Sequence, residues 1–141
     1  MTDFEEQLTY YNLFPPAKKL DLELTVASLS AKGIPNLNQQ LKDFYSKTDG
    51  CFHLSAEISG LKSHRCQTDR GYYILQNLQS LNDHFSNIKV LEGCLLFGNS
   101  SMFFLYCNKN DTFVIARKIS MEIIFEDKSL EKIIPLFMKL I

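Results

Sequence analysis

Residues 41–54 read LKDFYSKTDGCFHL, and the fold turns on where this stretch changes its period. Leu41, Phe44 and Tyr45, with Leu37 before them, recur at helical spacing, while Gln39, Gln40, Lys42 and Asp43 fall on the other side. That pattern predicts an amphipathic helix over residues 36–47. Thr48-Asp49-Gly50 then reads as its stop, because glycine takes the left-handed conformation that closes a helix end or a turn. From Cys51 the segment CFHLS reads as a short strand.

Upstream the pattern is helical throughout. TDFEEQLTYYNLF opens with a capping-box spacing, Asp3 followed by Glu6, and places Phe4, Leu8 and Tyr11 on one face. Pro15-Pro16 break that helix, and a proline at a first helical position can open the next one. In AKKLDLELTVASLSAK, Leu20, Leu24 and Ala27 line one side, and Leu22, Val26 and Leu29 line another. Gly33-Ile34-Pro35 ends it.

Downstream the chain alternates between strands and turns. GYYIL reads as a strand and NLQSLNDHF as a short helix capped by Asn77. CLLFG, MFFLYC, TFVIAR and SMEIIF follow at hairpin spacing, separated by Asn99-Ser100 and by Asn108-Lys109-Asn110-Asp111. MFFLYC is apolar on both faces, as a strand covered on both sides would be. DKSLEKIIPLFMKLI closes the chain as a helix with a Ser129 cap, and Pro135 predicts a kink or a restart there. The expectation is an α+β fold in one domain over residues 1–141. Its mainly antiparallel sheet is flanked by N-terminal helices and a C-terminal helix, with residues 1–19 a helical addition.

The bulk properties narrow the function. A chain of 141 residues can bury roughly 70% of its unfolded surface in one core. Seventeen aromatic residues, 11 Phe and 6 Tyr with no Trp, predict a phenylalanine-rich interior. A net charge of -1, evenly spread, argues against a nucleic-acid partner, which calls for a basic face. No uncharged apolar run approaches the roughly 20 residues of a membrane helix, and the acidic start lacks the order of a secretory signal. Cys51, Cys66, Cys94 and Cys107 form no closely spaced pairs, so reduced thiols and a cytoplasmic location are expected. Nothing in the sequence sets an oligomeric state.

Two readings of the chemistry compete. Cys51-Phe52-His53 and His64-Arg65-Cys66 each place a thiol and an imidazole on one face of a strand. If those strands paired, Cys51, His53, His64 and Cys66 would make a zinc set, although paired zinc ligands usually lie two to four residues apart. The simpler reading is a buried cysteine beside a half-exposed histidine, in a hairpin whose loop holds SAEISGLKS. No nucleophile elbow, phosphate loop or dinucleotide motif is present, so no cofactor and no enzyme activity are expected. Glu122, Glu126, Asp127 and Glu131, and Asp43 with Asp49, read as solvated carboxylates or as an acidic patch that steers a basic protein. In Tyr10-Tyr11 and Tyr72-Tyr73 adjacent side chains diverge, leaving one tyrosine of each pair exposed.

Three segments carry a resemblance to the SUKH superfamily, which includes bacterial toxin-immunity proteins and a yeast regulator of cell-wall synthesis. GIPNLNQQLKDFYSKTDGC is similar to its signature through Gly33, Pro35, Leu41, Phe44, Tyr45, Asp49 and Gly50. YYILQNLQSLND is similar to its strand and short helix. LLFGNSSMFFLYCNKNDTFVIAR with SLEKIIPLFMKLI is similar to its closing strands and terminal helix. The chain departs in lacking tryptophan and in having Cys51 after Gly50, where a second glycine is common. The resemblance implies an α+β domain without a catalytic site that binds a cognate toxin, a basic nuclease being one fitting partner, and blocks it. A regulatory scaffold role, as in the eukaryotic relatives, and a small zinc domain are the alternatives. Glu122, Glu126, Asp127 and Tyr72 are the candidate partner contacts.

Overall fold

In the computed structural model, which describes residues 2–140, Gly50 separates a mostly helical part from the main run of strands. Helix α1 spans Asp3–Leu8, strand β1 Asn12–Leu13, α2 Lys19–Ala31 and α3 Gln39–Tyr45. Strands β2 (Cys51–His53), β3 (Ala56–Ile58), β4 (His64–Thr68) and β5 (Gly71–Leu75) follow, then α4 (Leu78–His84) and a 3-10 turn at Lys89–Leu91. Strands β6 (Leu95–Asn99), β7 (Phe103–Cys107), β8 (Phe113–Arg117) and β9 (Ile123–Asp127) lead to α5 (Leu130–Lys139). The fold is α+β, with a seven-stranded sheet in the order β1-β2-β3-β6-β7-β8-β9 and a separate two-stranded sheet of β4 and β5. Every pairing between these strands is antiparallel.

The centre of the sheet is covered on both faces, and β7 shows why its sequence has no polar side. Phe103, Leu105 and Cys107 enter one core together with Phe44, Phe97, Phe113 and Phe137. Phe104 and Tyr106 enter a second core with Leu81, Leu91, Leu96 and Val114. The first is roofed by α1, α3 and α5, the second by α4 and the 3-10 turn. Asn82 on α4 fastens the second layer, since its amide donates to the Leu96 carbonyl and its oxygen accepts the Leu96 N–H, at 2.8 and 2.9 Å.

Several expected boundaries move for identifiable reasons. Thr2, and not Asp3, caps α1, accepting from the Glu5 N–H at 3.1 Å. Residues 1–19 were expected as a helical addition, yet Phe4 and Leu8 lie in the first core and β1 pairs with β2. Neither Pro15 nor Pro16 opens α2, which begins at Lys19. On α2 the Leu22, Val26 and Leu29 side faces inward, while Leu20 and Leu24 stay more than 60% exposed. The expected loop SAEISGLKS contains β3, a strand of only three residues and thus too short to show a period.

Helix α5 neither restarts at Pro135 nor takes its cap from the Ser129 side chain. It runs as one element through the proline. Gln40 of α3 accepts from the Leu130 N–H at 2.9 Å, and Asp127 accepts from the Ser129 N–H at 2.7 Å. A proline inside a helix costs about 3 kcal/mol. Burial of Leu130, Ile133, Ile134, Phe137 and Met138, at about 1.5–3 kcal/mol each, outweighs that cost.

Candidate functional site

Thr48 and Asp49 are buried among the polar side chains, and each ties a separate segment to the end of α3. The Thr48 hydroxyl accepts from the Phe14 N–H at 3.2 Å and lies 2.9 and 2.7 Å from the Phe14 and Gly50 carbonyls, to either of which it can donate. The Asp49 N–H donates to the Pro15 carbonyl at 3.1 Å. These bonds hold the chain before α2 against the turn.

The Asp49 side chain reaches the other way. Its Oδ1 accepts from the Leu61 N–H at 2.7 Å and its Oδ2 from the Lys62 N–H at 3.2 Å. Nε2 of His64 lies 2.6 Å from the same Oδ2, and the imidazole stacks on Phe14 with centroids 4.4 Å apart. The backbone approaches too closely here for larger residues. Gly50 has φ of +88°, and a Cβ on it would lie 2.6 Å from the Ile58 carbonyl oxygen. A Cβ on Gly60 would lie 2.5 Å from the Asp49 carbonyl oxygen. The TDG stretch therefore sets the entry into β4 as well as ending a helix.

A second clamp holds β5. Tyr73 stacks on Phe52 with centroids 4.2 Å apart, and its hydroxyl donates to Glu57. Burial first, then the bonded Glu57 carboxylate, pushes the Tyr73 pKa well up. Lys118 lies over the rings of Phe104 and Phe85, at 5.1 and 5.7 Å from their centroids. Desolvation holds its ammonium pKa below the ordinary value, against the opposing pull of Glu57.

The opposite face of this hairpin is open. In the β4–β5 register Arg65 faces Ile74 and Gln67 faces Tyr72, so the four share one side. Tyr72 and Ile74 are each 57% exposed, and the Arg65 guanidinium carbon sits 4.0 Å from the Tyr72 ring centroid. Tyrosine, arginine and an aliphatic side chain in one exposed cluster have the composition of a binding anchor.

The expected site residues separate in space. Tyr72 lies on this hairpin, whose partner side packs over β2, whereas Glu122, Glu126 and Asp127 lie at β9, the far edge of the large sheet. Glu126 pairs with Val114 and Asp127 with Phe113, so these neighbours point to opposite faces. Glu122 pairs with Arg117 at 3.4 Å, and Asp127 is occupied at the start of α5. They do not form one acidic patch. Asp49, expected among solvated carboxylates, is only 2% exposed. As expected for the tyrosine pairs, Tyr10 and Tyr72 are exposed and Tyr11 and Tyr73 are partly buried.

The pairing required for the zinc set does not form either. The Cys51–His53 strand pairs with Leu13, Asn12 and Ala56–Ile58, and His64 and Cys66 pair with Leu75 and Tyr73. Among the described residues no group of three or more His, Cys, Asp or Glu is placed to hold a metal ion. Burial pushes the Cys51 thiol up to about 12, and burial with nearby Asp111 pushes Cys107 up to about 11. Both remain protonated at neutral pH, which removes them as ready nucleophiles. His53 lies against Tyr11, with ring centroids 5.9 Å apart, and borders a shallow groove with Met138 and Pro135. No helix among the described residues is long and apolar enough to cross a membrane.

Comparison with protein-family models and with curated proteins gives no match for this chain.

Proposed function

We propose that this chain is a non-catalytic protein-binding domain of the cytoplasm, and that it acts as an immunity protein that blocks a cognate bacterial toxin. The observation that carries the reading is the exposed Arg65–Tyr72–Ile74 cluster on a hairpin clamped from beneath. Rigid support matters because a partner then loses little affinity to ordering the surface it meets. The reading also draws on the resemblance of the sequence to the SUKH superfamily, whose signature includes Asp49 and Gly50. An interface of about 800 Å² on each side would suffice for a stable complex.

Co-expression with the polypeptide encoded beside this chain's gene tests the proposal. The neighbour should be toxic alone, should be silenced by this chain, and should co-purify with it. A neighbour without toxicity favours a regulatory scaffold role. Protection without a physical complex would overturn binding as the mechanism.

A further inference from the structure

The hairpin's charge is opposite to that of the molecule as a whole. Residues 62–75 carry Lys62, Arg65 and Arg70 against the single carboxylate of Asp69, while the whole chain is at -1. Lys62 is paired with Asp21 at 3.4 Å. Among the described residues, neither Arg65 nor Arg70 has a carboxylate within ion-pairing distance. Arg65 lies over Tyr72, and its guanidinium makes no side-chain hydrogen bond or ion pair among the described residues, which leaves its N–H groups for an outside acceptor. Tyr72 and Ile74 supply apolar surface beside it.

We propose that the outer face of the β4–β5 hairpin is the docking surface, and that it takes an acidic protein surface with an apolar side chain beside its carboxylates. This rests on the protein-binding reading and reverses the charge expected of the partner from the β9 carboxylates. A nucleic acid fits less well, because the remainder of the molecule is net negative and would repel a phosphate backbone. The apolar pair has no role in phosphate contact. The clamps on the inner face, Asp49 to His64 and Glu57 to Tyr73, leave the outer side chains free to meet the partner.

The test uses the intact chain as bait for a displayed library of random short peptides, with Arg65→Glu and Tyr72→Ala as parallel baits. Both side chains are exposed, and unchanged melting temperatures establish that the variants fold. Wild-type bait should enrich peptides pairing Asp or Glu with an aromatic or aliphatic residue. Synthetic versions should bind each variant about tenfold or more weakly, and Arg65→Lys should retain only part of the affinity. Basic peptides, no enrichment, or acidic peptides that bind all baits equally would overturn the proposal. So would binding of duplex DNA that Arg65→Glu abolishes, or self-association that Tyr72→Ala abolishes. A neighbouring-gene partner that binds wild type and both variants alike would sink this surface while leaving the protein-binding reading intact.

Discussion

Replacing Asp49 with alanine removes the acceptor for the Leu61 and Lys62 N–H groups and the partner of His64 in one step. The site is closed, with the Asp49 side chain 3% exposed, so water does not readily substitute. A buried donor left unpaired costs about 1–3 kcal/mol, and three donors, the Leu61 and Lys62 N–H groups and the His64 ring, lose their acceptor together. These overlap, so the expected loss is about 3–5 kcal/mol in total. For a domain of this length the unfolding entropy is about 0.3 kcal/mol/K, which converts the loss to a Tm drop of about 10–17 °C.

Asp49→Asn separates the contributions. Its carbonyl can still accept from Leu61, but its NH2 group then faces the Lys62 N–H, so the expected cost is about 1–3 kcal/mol. Thermal and urea unfolding give the magnitudes, and amide exchange gives the location. Protection should fall first at Leu61 and Lys62 and across β4 and β5, while β6 to β8 keep theirs until global unfolding. An alanine variant that melts within about 3 °C of wild type would refute the clamp, given the conversion above. Loss of protection spread evenly through the large sheet would refute it as a local device.

Two further predictions probe the same region. Gly33 and Gly50 both have positive φ, but only Gly50 is crowded by backbone. Gly33→Ala should cost about 1–2 kcal/mol from the left-handed conformation alone, and Gly50→Ala clearly more in urea unfolding; equal costs would disprove the close approach. The Cys51 thiol, raised by burial from an ordinary 9.0 to about 12, favours the fold fully below pH 9. Above that pH the unfolded chain ionises first, so this contribution is lost as pH rises toward 12, about 2 kcal/mol of it by pH 10.5. Cys51→Ala should flatten the fall in urea midpoint between pH 8 and 10.5, and an unchanged slope would show that the thiol is not buried in solution.

Long periodic elements were legible in the sequence, and contacts made by short ones were not. The α3 stripe and the capped α4 follow from a spacing that shows which side is inward, and β7 follows from an apolar run with no outward side. Strands β1 and β3, of two and three residues, exist because β2 offers partners on either side. Their own sequences carry no period. The cap of α5 is invisible for a related reason, since Gln40 lies 90 residues away from the N–H it serves.

The same limit hid the site. Thr48-Asp49-Gly50 was readable as a stop, but local sequence does not reveal that Asp49 would meet residues 12–15 positions onward. Tyr72 was identifiable by its neighbour, since adjacent strand residues must diverge. Its partner Arg65 was hidden until the β4–β5 register was known.

A two-stranded hairpin alone is marginal in water, so β4 and β5 must draw their order from elsewhere. The inner face supplies it through two directional attachments, Asp49 under β4 and Glu57 with Phe52 under β5. Apolar packing alone would hold the hairpin down without fixing its slide, whereas hydrogen bonds to named atoms fix both. The outer cluster therefore inherits its geometry from residues that never touch a partner. It follows that Asp49→Asn should weaken peptide capture by the hairpin even under conditions where the domain remains folded, with Arg65 and Tyr72 unaltered. Capture equal to wild type, alongside the expected local loss of amide protection, would separate the clamp from the binding surface and leave each to be explained alone.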